Sequence, residues 1–150
     1  MHYNDYSLYS HFLSEPVSSA YNIGWLDVEN EFKKGAVPVG FVDKLNSIII
    51  GTNSFNAQIS RKRSARKCKL CNSDYISIEN QEGKEVLGAA NLLIPYAQNT
   101  YFIAPTMVGH YISYHNYMPP EEFISAVLCV DTSIPYFADQ IYLELISGKF

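Results

Sequence analysis

Two pairs of residues in this 150-residue chain have the types and the spacing of metal ligands. Cys68 and Cys71 form a C-x-x-C motif in a polar stretch, and His110 and His115 form an H-x4-H motif. Both spacings are in the range at which two thiolates and two imidazoles bind one Zn²⁺ ion. Four protein ligands leave no open position for water, so the pattern predicts a closed, structural zinc site and not a zinc hydrolase.

The separation of the two histidines sets a geometric condition on this site. On a regular helix a step of five residues rotates by about 140°, so the rings of His110 and His115 would point apart. They converge only if the last turn of the helix loosens, and residues 116–120, which end in two prolines, favour such an ending. The alternative is that both histidines are ordinary core residues and that the C-x-x-C motif arose by chance.

A further alternative for the two cysteines is redox chemistry. Arg66, Lys67 and Lys69 flank the motif and would favour a thiolate at Cys68 or Cys71. The sequence lacks the βαβ pattern in which a thioredoxin-like C-x-x-C occurs, so this alternative is the weaker one.

More than half of the eleven Lys and Arg residues lie between positions 61 and 69, a stretch that we call the basic segment. We expect it to be a solvated part of a long loop over residues 52–73, because no aromatic residues interleave the basic ones to stack on bases. The alternative is that it binds phosphate or an acidic protein. The chain also has twelve tyrosines, a residue type enriched at protein interfaces. The candidate partner-binding residues are Arg61, Lys62, Arg63, Arg66, Tyr114 and Tyr117.

Composition narrows the possible functions. Hydrophobic residues make up 47% of the chain and charged residues 17%, which excludes intrinsic disorder for most of its length. The net charge of -4 argues against a dedicated nucleic-acid binder. The longest apolar runs are too short to cross a bilayer and the N-terminus lacks a secretory signal, so we expect a cytoplasmic protein with no membrane partner. The nucleophile-elbow, phosphate-loop, dinucleotide and H-E-x-x-H motifs are all missing, which predicts a protein that is not an enzyme.

The remaining patterns predict a single α+β domain over residues 1–150. Residues 1–20 show no clean period and should form an irregular arm, and one N-terminal helix is expected from near Pro38 to Gly51. Four short apolar segments then predict a small antiparallel β meander, because their connections are too short for parallel crossovers. These segments cover residues 75–78, 86–87, 92–94 and 101–103.

Three further helices are predicted for the C-terminal third of the chain. They begin near Pro105, Glu121 and Pro135, and the last one ends at Gly148. The residues predicted to face the core on the last two helices are Phe123, Ile124, Val127, Leu128, Phe137, Ile141 and Leu145. Cys129 lies in the same apolar run and is predicted to be a small buried residue.

Several short motifs together resemble an uncharacterised family of bacterial domains of unknown function. The resemblance spans roughly residues 20–128 and is most specific between positions 101 and 127. It rests on Asn22-Ile23-Gly24-Trp25-Leu26-Asp27, Phe32, Gly35, Val37, Cys68-x-x-Cys71, Leu87-Gly88, Tyr101-x-x-Ala104-Pro105, His110-Tyr111, His115-x-Tyr117, Pro119-Pro120 and Phe123-Ile124-x-Ala126-Val127. The resemblance implies no activity. Small bacterial domains of this kind are often similar to immunity proteins, which neutralise a toxin made by the same cell.

These observations predict a non-enzymatic protein-binding module that is stabilised by a structural zinc ion. Its most concrete form is an immunity protein that binds a cognate toxin and blocks the toxin's active site. Charge complementarity between an acidic face and a basic toxin would speed the capture. The alternative function is a zinc-containing, nucleic-acid-associated regulator that uses the basic segment.

Overall fold

The computed structural model describes residues 2–10 and 13–147, and over these residues the chain is an α+β protein. Four helices and eight strands occur in this part of the chain. The helices are α1 (Phe41–Ile50), α2 (Val108–His115), α3 (Glu121–Cys129) and α4 (Ala138–Ile146). The strands are β1 (Ala20–Asn22), β2 (Phe55–Asn56), β3 (Gln58–Ile59), β4 (Ser77–Asn80), β5 (Gly83–Val86), β6 (Asn91–Pro95), β7 (Tyr101–Pro105) and β8 (Tyr136–Phe137).

The largest sheet is mixed and has the strand order β1-β7-β6-β3. Strand β1 runs parallel to β7, whereas β6 pairs antiparallel with both β7 and β3. The three middle residues of β6, Leu92, Leu93 and Ile94, are all buried. Consecutive buried apolar residues indicate a strand that is covered on both faces. The centre of the sheet therefore lies inside the core.

Helix α1 forms where the apolar periodicity predicted it. Phe41, Leu45, Ile48 and Ile49 are buried along one face of the helix. Gly51 ends the helix with φ +72°, and its N–H donates to the carbonyl of Ser47. The apolar face packs this helix against α2 and α3, so it supports the helix that carries the two histidines.

The predicted order of one helix, a meander and three helices is wrong. Strand β1 precedes α1, strands β2 and β3 lie within the stretch predicted to be a long loop, and β8 separates α3 from α4. The predicted meander is two separate hairpins, because β4–β5 forms its own sheet while β6–β7 belongs to the mixed sheet. Between them Gly88 adopts φ +98°, a conformation that favours glycine, and its N–H donates to Oγ1 of Thr106.

Several predicted boundaries and buried faces also need correction. Pro105 is the last residue of β7, and α2 begins three residues later at Val108. Leu128, Cys129 and Phe137 are exposed, because the first two lie on the outer face of α3 and Phe137 belongs to the short strand β8. Gly148, the predicted end of the last helix, lies outside the described residues. None of the helices in the described part of the chain is both long and apolar enough to cross a membrane.

Candidate metal centre

Helix α2 carries both histidines, with His110 in its first turn and His115 as its last residue. The end of this helix is widened: the N–H of Asn116 donates to the carbonyl of Tyr111, five residues back, and the N–H of Tyr117 donates to the same carbonyl. A turn of this width brings residues five apart towards one face, as in a π-type turn. The loosening that the sequence required is therefore present, and Asn116 closes the helix with φ +60°.

A tight turn before strand β4 presents the two cysteines. The N–H of Leu70 points at the Cys68 sulfur, 3.4 Å away, and the N–H of Asn72 donates to the Cys68 carbonyl over 2.8 Å. Asn72 has φ +57°, which the short polar side chain of asparagine tolerates. The C-x-x-C backbone is thus folded around the sulfur of Cys68, and its N–H group would stabilise negative charge there.

The four side chains converge on one point. Their ligand atoms all lie within 4.8 Å of one another. The Cys68 sulfur is 3.4 Å from Nε2 of His115, and the Cys71 sulfur is 3.5 Å from Nε2 of His110. In a tetrahedral site with Zn–S of about 2.3 Å and Zn–N of about 2.0–2.1 Å, a sulfur and a nitrogen are about 3.6 Å apart. The geometry of this Cys–His cluster is compatible with a metal site.

The surroundings of the cluster favour the ligand forms of the two histidines. Burial lowers the pKa of His110, and the neighbouring His115 lowers it further. Burial also lowers the pKa of His115, with a smaller contribution from the positive charge of Lys34. Both imidazoles are therefore neutral near pH 7, and a neutral imidazole nitrogen can bind a metal ion.

The two thiols differ in their environment. Cys68 is fully buried, and this burial raises the pKa of its thiol. Cys71 is half-buried, and a hydrogen bond with the hydroxyl of Ser73, 3.3 Å from its sulfur, lowers the pKa of its thiol. A divalent cation deprotonates a thiol that coordinates it. Two thiolates would balance the charge of one divalent ion, so the filled site would carry no net charge into the core.

Aromatic rings cover the histidines. The ring of Tyr114 stacks on His110 at a centroid distance of 5.1 Å and meets His115 edge-on at 4.9 Å. Tyr111 packs against His115 from the core side, with the centroids 6.4 Å apart. Tyr114 is 67% exposed, so its ring covers the two imidazole rings on the solvent side, whereas Tyr111 is buried.

Of the residues predicted to bind a partner, five are exposed and one is buried. Arg61, Lys62, Arg63 and Arg66 are exposed, and the Arg61 guanidinium donates to the side-chain oxygen of Gln58. Tyr114 is exposed beside the Cys–His cluster.

Tyr117 is not part of a surface, and its assignment to a partner site is wrong. It is 1% exposed, and its hydroxyl donates to the carboxylate of Asp5 over 2.7 Å. The left-handed conformation of Asn116 turns the chain at this point, so the next side chain enters the core. The signal that sequence reasoning missed is Asn116 itself, since asparagine often occupies the left-handed position that ends a helix.

An acidic cleft adjoins the cluster and was not predicted. It has a volume of about 510 Å³, and its lining residues include Asp27, Glu29 and Glu31 together with Leu70 and His115. Lys34 also lines the cleft, so its charge is mixed but mainly negative. The sequence signal that could have predicted an acidic surface here is the occurrence of its three acidic residues at alternate positions.

The fold and the cluster define an α+β protein with a Cys2His2 constellation compatible with a metal. The chain belongs to the family described as domain of unknown function DUF7919, whose model matches residues 1–128. This match includes all four residues of the cluster and ends within α3. No curated protein and no solved structure matches the chain.

Proposed function

We propose that the Cys–His cluster binds one zinc ion as a closed structural site. The observation that carries this proposal is the pair of sulfur–nitrogen distances, 3.4 Å and 3.5 Å, because both are close to the edge of a zinc tetrahedron. Two thiolates and two imidazoles are a donor set that selects zinc over harder cations. Four protein ligands fill the coordination shell, so the ion would stabilise the fold and would not activate water.

The ion would join two parts of the chain that are distant in sequence. Cys68 lies near the end of the basic segment and Cys71 follows two residues after that segment, whereas His110 and His115 lie on α2. A bound ion would therefore attach the basic segment to the helical layer. The free energy of zinc binding would become part of the free energy of folding.

Elemental analysis of the purified protein tests this proposal. We expect one zinc per chain in the wild type and none in Cys71→Ser, with Cys129→Ser as the matched control because Cys129 is exposed on α3. A wild-type protein that is folded and monodisperse yet binds no metal after incubation with Zn²⁺ under reducing conditions would refute it.

We further propose that the domain acts by binding a protein partner, most concretely as an immunity protein that blocks the active site of a toxin. A closed metal site supports a binding module more than a zinc enzyme. The acidic cleft beside His115 and the exposed ring of Tyr114 support a docking face for a basic surface. Aromatic anchors surrounded by complementary charge are typical of protein interfaces.

Protection of cells from a candidate toxin tests this second proposal. The candidate is the product of a gene adjacent to the gene of this protein, expressed with or without it. We expect the wild type to restore growth and Glu29→Gln/Glu31→Gln to lose this protection. Glu79→Gln/Glu82→Gln, which removes the same charge from the β4–β5 hairpin, is the control. If the wild type forms no complex with the toxin and gives no protection, the proposed role is wrong.

A further inference from the structure

An apolar cavity of about 270 Å³ is lined in part by Tyr111 of α2, whose ring also packs against His115 of the Cys–His cluster. Its buried wall is formed by side chains from distant parts of the chain, among them Trp25, Leu26, Met107 and Ile146. Cavities that hold small ligands are mostly apolar and present a few polar groups at defined positions. This cavity has that composition.

All the charged residues that line this cavity, among those the structure describes, are cations. They are Lys62, Arg66, Lys67 and Lys69. The whole chain has a net charge of -4, so four cations around one apolar opening are a local concentration of positive charge, of which Lys67 also pairs with Asp74 over 3.6 Å. Lys62, Arg66 and Lys67 are exposed, which places their charges on the solvent side of the cavity. The combination is an apolar interior with a positively charged rim.

The backbone holds the basic segment in this position. The N–H of Lys62 donates to the carbonyl of Ala89 over 2.7 Å, and the N–H of Arg66 donates to the carbonyl of Gly88 over 3.2 Å. A Cβ at Gly88 would lie only 2.6 Å from the carbonyl oxygen of Arg66, so the two stretches are in direct backbone contact. The rim is therefore part of the fold and does not behave as a free basic tail.

We propose that this cavity binds a small amphiphilic anion, with its apolar body inside and its carboxylate or phosphate head at the basic rim. The volume is larger than the roughly 150 Å³ that holds benzene and just below the range of about 300–1,000 Å³ for drug-sized ligands. It therefore fits an apolar body of the size of a medium-length alkyl chain or a small fused ring. The cations supply charge-assisted hydrogen bonds to the head.

This proposal goes beyond the zinc site and the protein partner and does not depend on either. It also gives the basic segment a role other than nucleic-acid binding. A phosphodiester backbone would need an open, extended basic track, whereas four of the cations here surround an apolar interior. Binding of an oligonucleotide that is not displaced by a small amphiphilic anion would favour nucleic acid instead.

A series of probes with one alkyl chain and different heads tests the proposal. Octanoate and octyl phosphate are anions, 1-octanol is neutral and octylamine is a cation at pH 7. Trp25 is the only tryptophan of the chain and lines the cavity, so its fluorescence reports occupancy directly. Isothermal titration gives an independent affinity. We expect the two anions to bind at least about tenfold more tightly than 1-octanol, and octylamine to bind most weakly.

Two double variants distinguish the effect of the cations that line the cavity from the effect of the overall positive charge of the basic segment. Lys62→Gln/Arg66→Gln removes two cations that line the cavity and should weaken octanoate binding by about tenfold or more, with little change for 1-octanol. Arg61→Gln/Arg63→Gln removes the same charge from the same segment at positions that do not line the cavity, and it should leave the octanoate affinity nearly unchanged. The comparison of the two anions identifies the preferred head.

A third variant tests the apolar interior. Ala89 lines the cavity, and Ala89→Phe should fill part of it and weaken octanoate and 1-octanol alike. Equal affinities for all four probes would overturn the proposal, as would equal losses in the two double variants. No binding of any probe by folded wild-type protein would also overturn it, while the zinc content of the same sample would still test the metal site separately.

Discussion

The sulfur of Cys68 lies 3.4 Å from Nε2 of His115, although the two residues are 47 positions apart in the chain. This contact joins the end of the basic segment to the end of α2. The equivalent contact of Cys71 with His110, over 3.5 Å, lies five residues earlier on α2. A zinc ion bound between these four side chains would cross-link the two parts of the chain. Removal of the ion should therefore change the stability of the fold.

Cys68→Ser should abolish zinc binding and lower the Tm by several degrees. The substitution removes a thiolate ligand and leaves a hydroxyl in a fully buried position. Loss of zinc removes binding energy that contributes to folding. Differential scanning calorimetry and elemental analysis of the same samples measure both effects. Cys129→Ser should change neither, and a Cys68→Ser protein that retains wild-type zinc content would contradict the assignment.

Chelation should lower the Tm of the wild type and leave the Tm of Cys68→Ser unchanged. Treatment with a strong chelator should lower the wild-type Tm towards that of Cys68→Ser, because both proteins then lack the cross-link. The Tm of Cys68→Ser should stay unchanged under the same treatment. A wild-type Tm that does not respond to complete removal of zinc would show that the ion, if bound, does not stabilise the fold.

Acid should destabilise the metal-free protein through the two histidines. The folded pKa values of His110 and His115 are lowered from the ordinary value of 6.5. The unfolded chain therefore binds protons at these positions at a higher pH than the folded chain. Their contribution to stability is complete above about pH 6.5 and is lost as the pH falls through the lowered folded values.

Urea unfolding of chelator-treated protein over a pH series measures this dependence. We expect the free energy of unfolding to decrease below about pH 6.5, and His110→Gln/His115→Gln to show a weaker decrease over the same range. In the zinc-loaded protein protons also compete with the metal for the ligands, so zinc release should accompany acidification. Identical pH profiles for the double variant and the wild type would assign the acid sensitivity to other groups.

The four residues of the Cys–His cluster could be picked out from the sequence because each pair is local in sequence. C-x-x-C and H-x4-H identify ligand types and short spacings without knowledge of the fold. The loosened last turn of the helix could also be predicted, because Pro119 and Pro120 require the helix to stop soon after His115. The donation from Asn116 to the carbonyl of Tyr111 forms that loosened turn.

The sheet topology could not be predicted because it depends on pairs that are distant in sequence. Strand β1 has three residues and pairs with β7, and β2 and β8 have two residues each and pair with one another. Segments this short show no measurable alternation. Their pairing is set by how the helices and the central strands pack, and this information is not local.

Tyr117→Phe should destabilise the protein by about 2 kcal/mol, because the lost hydroxyl donates to a carboxylate. Its hydrogen bond to Asp5 is 2.7 Å long, and Asp5 also accepts the N–H of Gly24. Tyr114→Phe is the matched control, since Tyr114 is exposed and keeps its ring against His110 in either form. Urea unfolding should show the loss for position 117 and a change within about 0.5 kcal/mol for position 114. Equal losses of unfolding free energy at the two positions would mean that the Tyr117–Asp5 hydrogen bond does not stabilise the fold.

Gly88→Ala should destabilise the protein more than Gly40→Ala, and the difference measures how closely the basic segment approaches Gly88. Both glycines have positive φ, +98° and +86°, so both substitutions bear the cost of that conformation, about 1–2 kcal/mol. A Cβ at Gly40 has no neighbour within 4 Å, whereas at Gly88 it would lie 2.6 Å from the carbonyl oxygen of Arg66.

The extra cost at Gly88 should be at least about 1 kcal/mol, because the backbone of the basic segment must move to accommodate the methyl group. Hydrogen exchange of the Arg66 amide should accelerate in Gly88→Ala, since this amide donates to the Gly88 carbonyl, and should stay unchanged in Gly40→Ala. Equal losses of unfolding free energy in the two variants, with unchanged exchange at Arg66, would show that the basic segment is not held against Gly88. The rim of the apolar cavity would then be mobile, and its four cations would not be fixed around the opening.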